Sequence, residues 1–150
     1  MNRIQSLAAL LLITATTATS AAPAHRGTMS ATVDGAQWTA EVISAAAIQG
    51  GVLRVGGQSH MKAPFVALGI AVPPKVGTYS VGPSTGASVA GSLVDVGAGA
   101  PRQWNADGGA GSGTVTLTEL TSSRATGSFS FTLVHIVTAS TVTKVIANGK

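Results

Sequence analysis

Not one cysteine occurs in the 150 residues, and that absence excludes a good deal. No disulfide can staple the fold. No thiolate can hold a metal or act as a nucleophile. No cysteine stands near an N-terminal cleavage site to carry a lipid, so the expected product is soluble rather than tethered. Charge is nearly as scarce. Asp, Glu, Lys and Arg make up 9% of the chain, nine bases against five acids. The pI near 10.2 therefore reflects few acids rather than many bases. Arg26, Arg54, Lys62, Lys75, Arg102, Arg124, Lys144 and Lys150 are scattered, whereas nucleic acid needs clustered cations that release counterions together. Aromatics are only 4% of the chain, too few for base stacking. Nucleic-acid binding is set aside, and no cofactor motif is present.

Long apolar runs are also missing. The N-terminal run Leu7-Ala-Ala-Leu-Leu-Leu-Ile13 falls short of the about 20 residues that a membrane span needs. It follows Arg3 and precedes a small-residue tract ending in Ala22-Pro-Ala24. A positive start, an apolar centre and an A-x-A site in that order make a secretory leader. Ala18-Thr-Ser20 and Ser20-Ala-Ala22 are alternative cleavage sites. The expected organisation is a leader over 1–24 and one domain over 25–150, exported to the periplasm or the extracellular space, without a transmembrane span.

What the mature chain does contain is glycine, serine and threonine around short alternating runs, a pattern of antiparallel β structure. Met29–Val42 is the clearest unit. Asp34-Gly35 supplies the positive φ of a type I′ turn, so Val33 should oppose Ala36 and Ala31 should oppose Trp38. Ser44–Ile48 is alanine-rich and reads as a helical turn or a continuing strand. Val52–Val55 reads as a strand closed by Gly56-Gly57. Phe65–Val72 is apolar on both faces, with Phe65, Ala67, Gly69 and Ala71 forming a small, nearly flat one; such a strand is central or lines a cavity. Gly77–Val81, Ser92–Val96 and Gln103–Asn105 are further short strands. The glycines at 97, 99, 108, 109, 111 and 113 read as mobile connections. Near the C-terminus two runs alternate around a polar centre. Pairing Leu117 with Phe131 gives an apolar face, if a bulge between Leu117 and Leu120 corrects the register. The loop would then be Thr121–Thr126. Ser140–Ala147 should pair with Phe129–Val137, and Asn148-Gly149 is a turn signal. The expected fold is an antiparallel all-β sandwich or flattened up-and-down barrel of roughly seven to nine short strands.

Thr32-Val-Asp-Gly-x-x-Trp38, Gly77-Thr-Tyr79, Gly111-Ser-Gly-Thr-Val-Thr-Leu-Thr118, Gly127-Ser-Phe-Ser-Phe131 and Asn148-Gly-Lys150 occur in this order. Together they resemble a bacterial family of small exported β-domains, the domain of unknown function 6252 type. Its motifs are those of turns and core, so the resemblance implies a fold and supplies no catalytic residue. Members are often lipid-anchored through an N-terminal cysteine, which this chain lacks.

Gly82-Pro-Ser-Thr-Gly86 matches G-x-S-x-G, and Asp95 or Asp107 and then His135 follow in hydrolase order. The nucleophile elbow needs a strand, a turn and a helix, yet Ala87-Ser-Val-Ala-Gly91 is a poor helix. A proline turn explains the stretch better. His60 and His135 lack metal-ligand spacing with Asp95 or Asp107, and His135 fits a strand-end histidine with its hydrogen bond satisfied. Asp107–Gly113 holds too few oxygens for calcium and reads as a flexible loop. Trp38 belongs to a core face. Trp104, flanked by polar residues and glycine, is the candidate for an exposed contact. Trp104, Phe65, Tyr79 and His135 are the candidate ligand-binding residues; no catalytic or metal residue is assigned. The leading reading is an exported, non-catalytic domain that binds or scaffolds at the cell envelope, its partner a small apolar ligand or an envelope protein. The alternatives are a small barrel gripping an apolar ligand and, second, a serine hydrolase using Ser84.

Overall fold

A computed structural model describes residues 27–82, 89–107, 109–137 and 140–150. These residues form eleven strands: β1 (Ser30–Val33), β2 (Ala36–Thr39), β3 (Val42–Gln49), β4 (Val52–Gln58), β5 (Phe65–Val72), β6 (Gly77–Val81), β7 (Ala90–Val96), β8 (Arg102–Ala106), β9 (Ser112–Leu120), β10 (Ala125–Val137) and β11 (Ser140–Gly149). No helix occurs among the described residues, so none there is long and apolar enough to cross a membrane. Every pairing is antiparallel. The strands make one sheet in the order β2-β1-β11-β10-β8-β7-β5-β4-β3, with β9 and β6 branching from β10. It curls into a half-barrel.

The long strand β10 creates that shape. One of its edges pairs with β11 from Phe129 to Val137. The other serves β9 from Ala125 to Thr132 and then β8 at Val134. The sheet therefore forks at Thr132, and the fork is where the β8–β9 connection must pass. Gly111 sits there with φ +75°. A Cβ on it would lie 2.6 Å from the Thr132 carbonyl oxygen and 2.9 Å from both Ala106 Cα and the Asn105 carbonyl oxygen. Only glycine fits a backbone crossing that close. The core fills the inner face of the curl, and Leu93, Leu133, Ile146 and Val72 are its most completely buried large side chains. Phe131 reaches inward from β10 until its ring lies over Gly91 of β7 and Gly113 of β9, which closes the inside of the fork.

The Asp34-Gly35 hairpin has the expected register, with Val33 opposite Ala36 and Ala31 opposite Trp38. Both turn residues have positive φ, 48° and 85°, as a type I′ turn requires. Trp38 points inward and its indole N–H donates to the Val66 carbonyl at 3.0 Å, joining β2 to β5 across the curl. β10 and β11 also pair as expected.

Four expectations change. Eleven strands replace seven to nine; of the two readings of Ser44–Ile48 the continuing strand holds, within β3, and Gly56-Gly57 lies inside β4 rather than ending it. Gly57 is a packing glycine: a Cβ there would meet Ala40 Cβ at 2.7 Å and Met29 Sδ at 3.3 Å. The β9–β10 register differs: Leu117 faces Gly127 and Val115 faces Phe129. The expected bulge is present, since Leu117 and Glu119 pair with consecutive residues Gly127 and Thr126, leaving Thr118 extra. The loop tightens to 121–124, where Arg124 N–H donates to Thr121 Oγ1 at 3.0 Å and Thr121 N–H donates to the Arg124 carbonyl at 2.8 Å. Third, Asn148-Gly149 makes no turn. Asn148, at φ 52°, is the extra residue between the pairs Phe131–Ile146 and Phe129–Gly149, so it forms a bulge within β11. Fourth, two of the glycines read as mobile connections are structural: Gly111 holds the fork and Gly113 lies in β9 beneath Phe131.

Candidate functional site

Two places on the inner face of the half-barrel differ from ordinary core, one at each end of β10. At the His135 end, alternation along β8 sends Gln103 and Asn105 outward and Trp104 and Ala106 inward. Trp104 is thus buried, at 3% exposure, which corrects the expectation of an exposed contact. Its polar neighbours mark the opposite face of the strand, not the surroundings of the ring. The His135 ring lies against the indole with centroids 5.2 Å apart, and His135 Nδ1 is hydrogen-bonded to the Gln103 carbonyl. The carbonyl can only accept, so Nδ1 donates this bond.

Two cations complete this group. Lys144 Nζ stands 5.0 Å from the Trp104 ring centroid and Arg102 Cζ 5.7 Å from it, within cation–π range. Each also has a carboxylate. Arg102 Nη2 donates to Asp95 Oδ2 at 3.4 Å, and Lys144 Nζ donates to Asp34 Oδ2 at 2.8 Å. Asp34 Oδ1 accepts the Val145 backbone N–H at 2.8 Å, which ties the β1–β2 turn to β11. The Trp104 indole N–H has no acceptor among the described residues. The charges here neutralise one another and grip an aromatic ring, so this group reads as a polar clasp.

The Lys144 hydrogen bond, followed by that from Val145 N–H, holds the Asp34 carboxyl below its ordinary range; partial burial opposes them and the Lys144 charge adds to them. A depressed folded-state pKa contributes stability above the unfolded value, about 3.9, and the contribution disappears as pH falls through the lower folded value. Denaturant unfolding of wild type and Asp34→Asn should therefore differ most above about pH 5 and converge towards about pH 2. The gap will be small, because the Asp34 side chain is 45% exposed and solvent screens it. Asparagine tolerates the left-handed turn position, so this variant removes the charge without straining the turn.

At the Phe129 end, the two arms of the fork leave an apolar chamber of about 90 Å³. Leu53, Val55, Ile70 and Val72 line it from β4 and β5, and Val115, Leu117 and Phe129 from β9 and β10. Met29 closes one side, while Thr28, Thr126, Ser128 and Lys150 form a polar rim. These apolar residues face inward because each shares the strand parity of a buried neighbour. Sequence reading missed this site, although the alternation in each strand does mark its residues as inward-facing. Pairing β4–β5 against β9–β10 across the curl is a long-range fact that alternation does not carry.

The four candidate ligand residues fall in different places. Trp104 and His135 come together at the clasp. Tyr79 sits on β6, half-buried against the core, and its hydroxyl donates to the Lys75 carbonyl at 2.7 Å. Phe65 opens β5 opposite Val96. It shares the face of Ala67, Gly69 and Ala71, and that face turns outward, since Ala71 pairs with the exposed Arg54. Gly69 and Ala71 of the small face line an open groove of about 310 Å³, while Ile70 and Val72 line the chamber. None of the four lines the chamber. His60 is hydrogen-bonded to Glu41 at 2.9 Å on the surface, while His135 is engaged at the clasp. Asp107 closes a compact turn, its Oδ1 accepting from Gly109 N–H at 2.8 Å and Ala110 N–H at 3.2 Å. Ser84 lies outside the described residues, as do residues 1–24, where a leader is expected.

A family model, the Domain of unknown function (DUF6252), matches residues 25–149. The chain belongs to this family. All eleven strands fall within the matched span, so the half-barrel with its forked β10 is a DUF6252 fold. No curated protein and no solved structure matches the chain. The motifs that carry the resemblance have structural roles: Asp34-Gly35 sets a hairpin, Gly111 and Gly113 occupy the fork, and Gly127 faces the β9 bulge. They are architectural residues, and among them Gly127 lines the chamber.

Proposed function

We propose that this domain is an exported, non-catalytic binding module that takes the end of an apolar chain into the chamber between the two arms. The observation that carries this reading is the chamber itself, an apolar-lined space with a polar rim between β4–β5 and β9–β10. Its volume of about 90 Å³ is below the roughly 150 Å³ of a cavity that holds benzene. A terminal alkyl segment fits better than a ring system. Burying about four methylenes gives about 3 kcal/mol, weaker than millimolar binding alone, since 1 mM corresponds to about 4.1 kcal/mol. Useful affinity therefore needs the rest of the ligand to lie along the rim, where Thr28, Thr126 and Ser128 offer hydroxyls and Lys150 an ammonium group. An amphiphile with an anionic or polar head and a straight apolar tail meets that description. Support for export comes from the leader-like order of charge, apolar run and small residues over 1–24.

The test is calorimetric titration of the mature chain with dodecanoate. Wild type should bind, and Val55→Phe, which fills the chamber from a half-buried position, should lose at least tenfold in affinity while its thermal midpoint holds or rises. Lys150→Ala should weaken dodecanoate but not dodecanol. Absence of binding by wild type, or equal binding by Val55→Phe, removes the proposal.

A further inference from the structure

Among the described residues the sheet is open, and its free edges are unequal. The main path ends in β2 and β3, and the side branch ends in β6. β2 spans only Ala36–Thr39 and β6 only Gly77–Val81, whereas β3 runs from Val42 to Gln49. A free strand edge presents unpaired N–H and C=O groups to any passing strand, and proteins normally blunt it with charge, proline, shortness or a bulge. β3 is long and contains neither a charged residue nor a proline. It has one such device, a bulge at Ser44 between the pairs Ile43–Gly57 and Ala45–Gly56. The regular stretch Ala45–Gln49 beyond the bulge is unguarded, and Ile48 within it is 58% exposed.

We propose that this stretch of β3 pairs antiparallel with the same stretch of a second copy, which joins two half-barrels into one continuous sheet. Two observations favour a copy of this chain over another partner, and the net charge of +4 does not bar it locally, because β3 brings no charge to the contact. A two-fold axis at Ala47 sets Ala47 against its own counterpart and Ala46 against Ile48 of the other copy, so identical edges are self-complementary and the assembly closes. Strand parity is also correct. Ala46 and Ile48 lie opposite Val55 and Leu53, so in the dimer Ile48 continues the inner apolar face of its neighbour instead of standing in water. A contact of this length falls below the about 1,200 Å² typical of stable complexes. Association should accordingly be weak and strongly concentration-dependent.

Sedimentation velocity on the mature chain from micromolar to millimolar concentration is the first test, with hydrogen exchange of the β3 amides in parallel. Wild type should shift from monomer to dimer, and exchange at Ala45–Gln49 should slow as dimer forms. Ile48→Lys, a change at an exposed site that adds an edge charge, should stay monomeric with an unchanged circular dichroism spectrum. Met61→Lys, equally a gain of charge at an exposed apolar residue, should dimerise like wild type. The proposal is overturned by a wild type that remains monomeric at millimolar concentration, which would leave β3 to a strand from another protein. It is equally overturned by a dimer that survives Ile48→Lys or leaves the Ala45–Gln49 amides unprotected.

Discussion

Gly111→Ala should be among the most damaging single-methyl additions this domain can receive. Two costs combine. The residue has φ +75°, a left-handed conformation that costs an L-residue with a side chain roughly 1–2 kcal/mol. The new Cβ would also lie 2.6 Å from the Thr132 carbonyl oxygen and 2.9 Å from Ala106 Cα and the Asn105 carbonyl oxygen. None of these is the end of a flexible side chain. All belong to the backbone at the point where β8 and β9 part company along β10, so relief requires the fork to open. Overpacking of that kind typically adds about 1–3 kcal/mol. The sum, about 2–5 kcal/mol, is a large share of the stability of a domain this size. Gly99→Ala is the control, because a Cβ at Gly99 meets nothing within 4 Å; it should be neutral within about 0.5 kcal/mol. Urea unfolding of the two variants beside wild type decides the matter. Equal midpoints for Gly111→Ala and wild type would mean that the fork is looser than its geometry.

The same residues show what could and could not be read beforehand. The β1–β2 hairpin was legible to the residue because turn chemistry fixes register: only Asp34-Gly35 can take the two positive φ angles, and every pair then follows. The β9–β10 hairpin has no such anchor. Alternation fixes which face a residue occupies, but a shift by any even number of residues leaves both faces unchanged. Val115 therefore faces Phe129 in the structure although a pairing with Leu133 satisfies the polarity pattern equally well. What settles the choice is the tight Thr121–Arg124 loop together with the space above Gly113 that the Phe131 ring occupies. The bulge at Thr118 was legible for the opposite reason. It is a fault in the alternation, and faults in a repeat are local.

The clasp and the chamber were beyond reach for a different reason. Each joins residues from four or more strands, and its members are distant in the chain. Asp34 and Lys144, for example, are 110 residues apart. Nothing in the order of side chains along any one strand says that β8 will lie beside the upper part of β10 while β9 takes the lower part. Parity nevertheless marks the buried face of β8. Arg102, Trp104 and Ala106 form one face of β8, and Ala106 is fully buried, which places the indole inside.

The buried state of Trp104 has a consequence that separates the two tryptophans. Trp38 and Trp104 are similarly buried, at 6% and 3% exposure, and truncating either to alanine should cost about 3–5 kcal/mol. Replacement by phenylalanine should divide them. In Trp38→Phe the Val66 carbonyl loses its 3.0 Å indole donor and keeps the Ser59 N–H at 2.9 Å, so the lost ring volume is joined by the loss of one hydrogen bond. The penalty for that is about 0.5–1.5 kcal/mol. In Trp104→Phe the group removed is an N–H without an acceptor among the described residues, and deleting it relieves a desolvation cost of similar size. A phenyl ring also keeps a face for the Lys144 and Arg102 cations, although it binds them less strongly than indole. Trp38→Phe should therefore be the more destabilising of the two by about 1–3 kcal/mol, despite its slightly greater exposure. Urea denaturation of both variants, followed by far-ultraviolet circular dichroism so that the loss of fluorophores does not matter, measures the difference. A Trp104→Phe variant as unstable as Trp38→Phe would show that the Trp104 indole N–H does work in the folded protein, and would recast the clasp as a hydrogen-bonded site rather than a packed one.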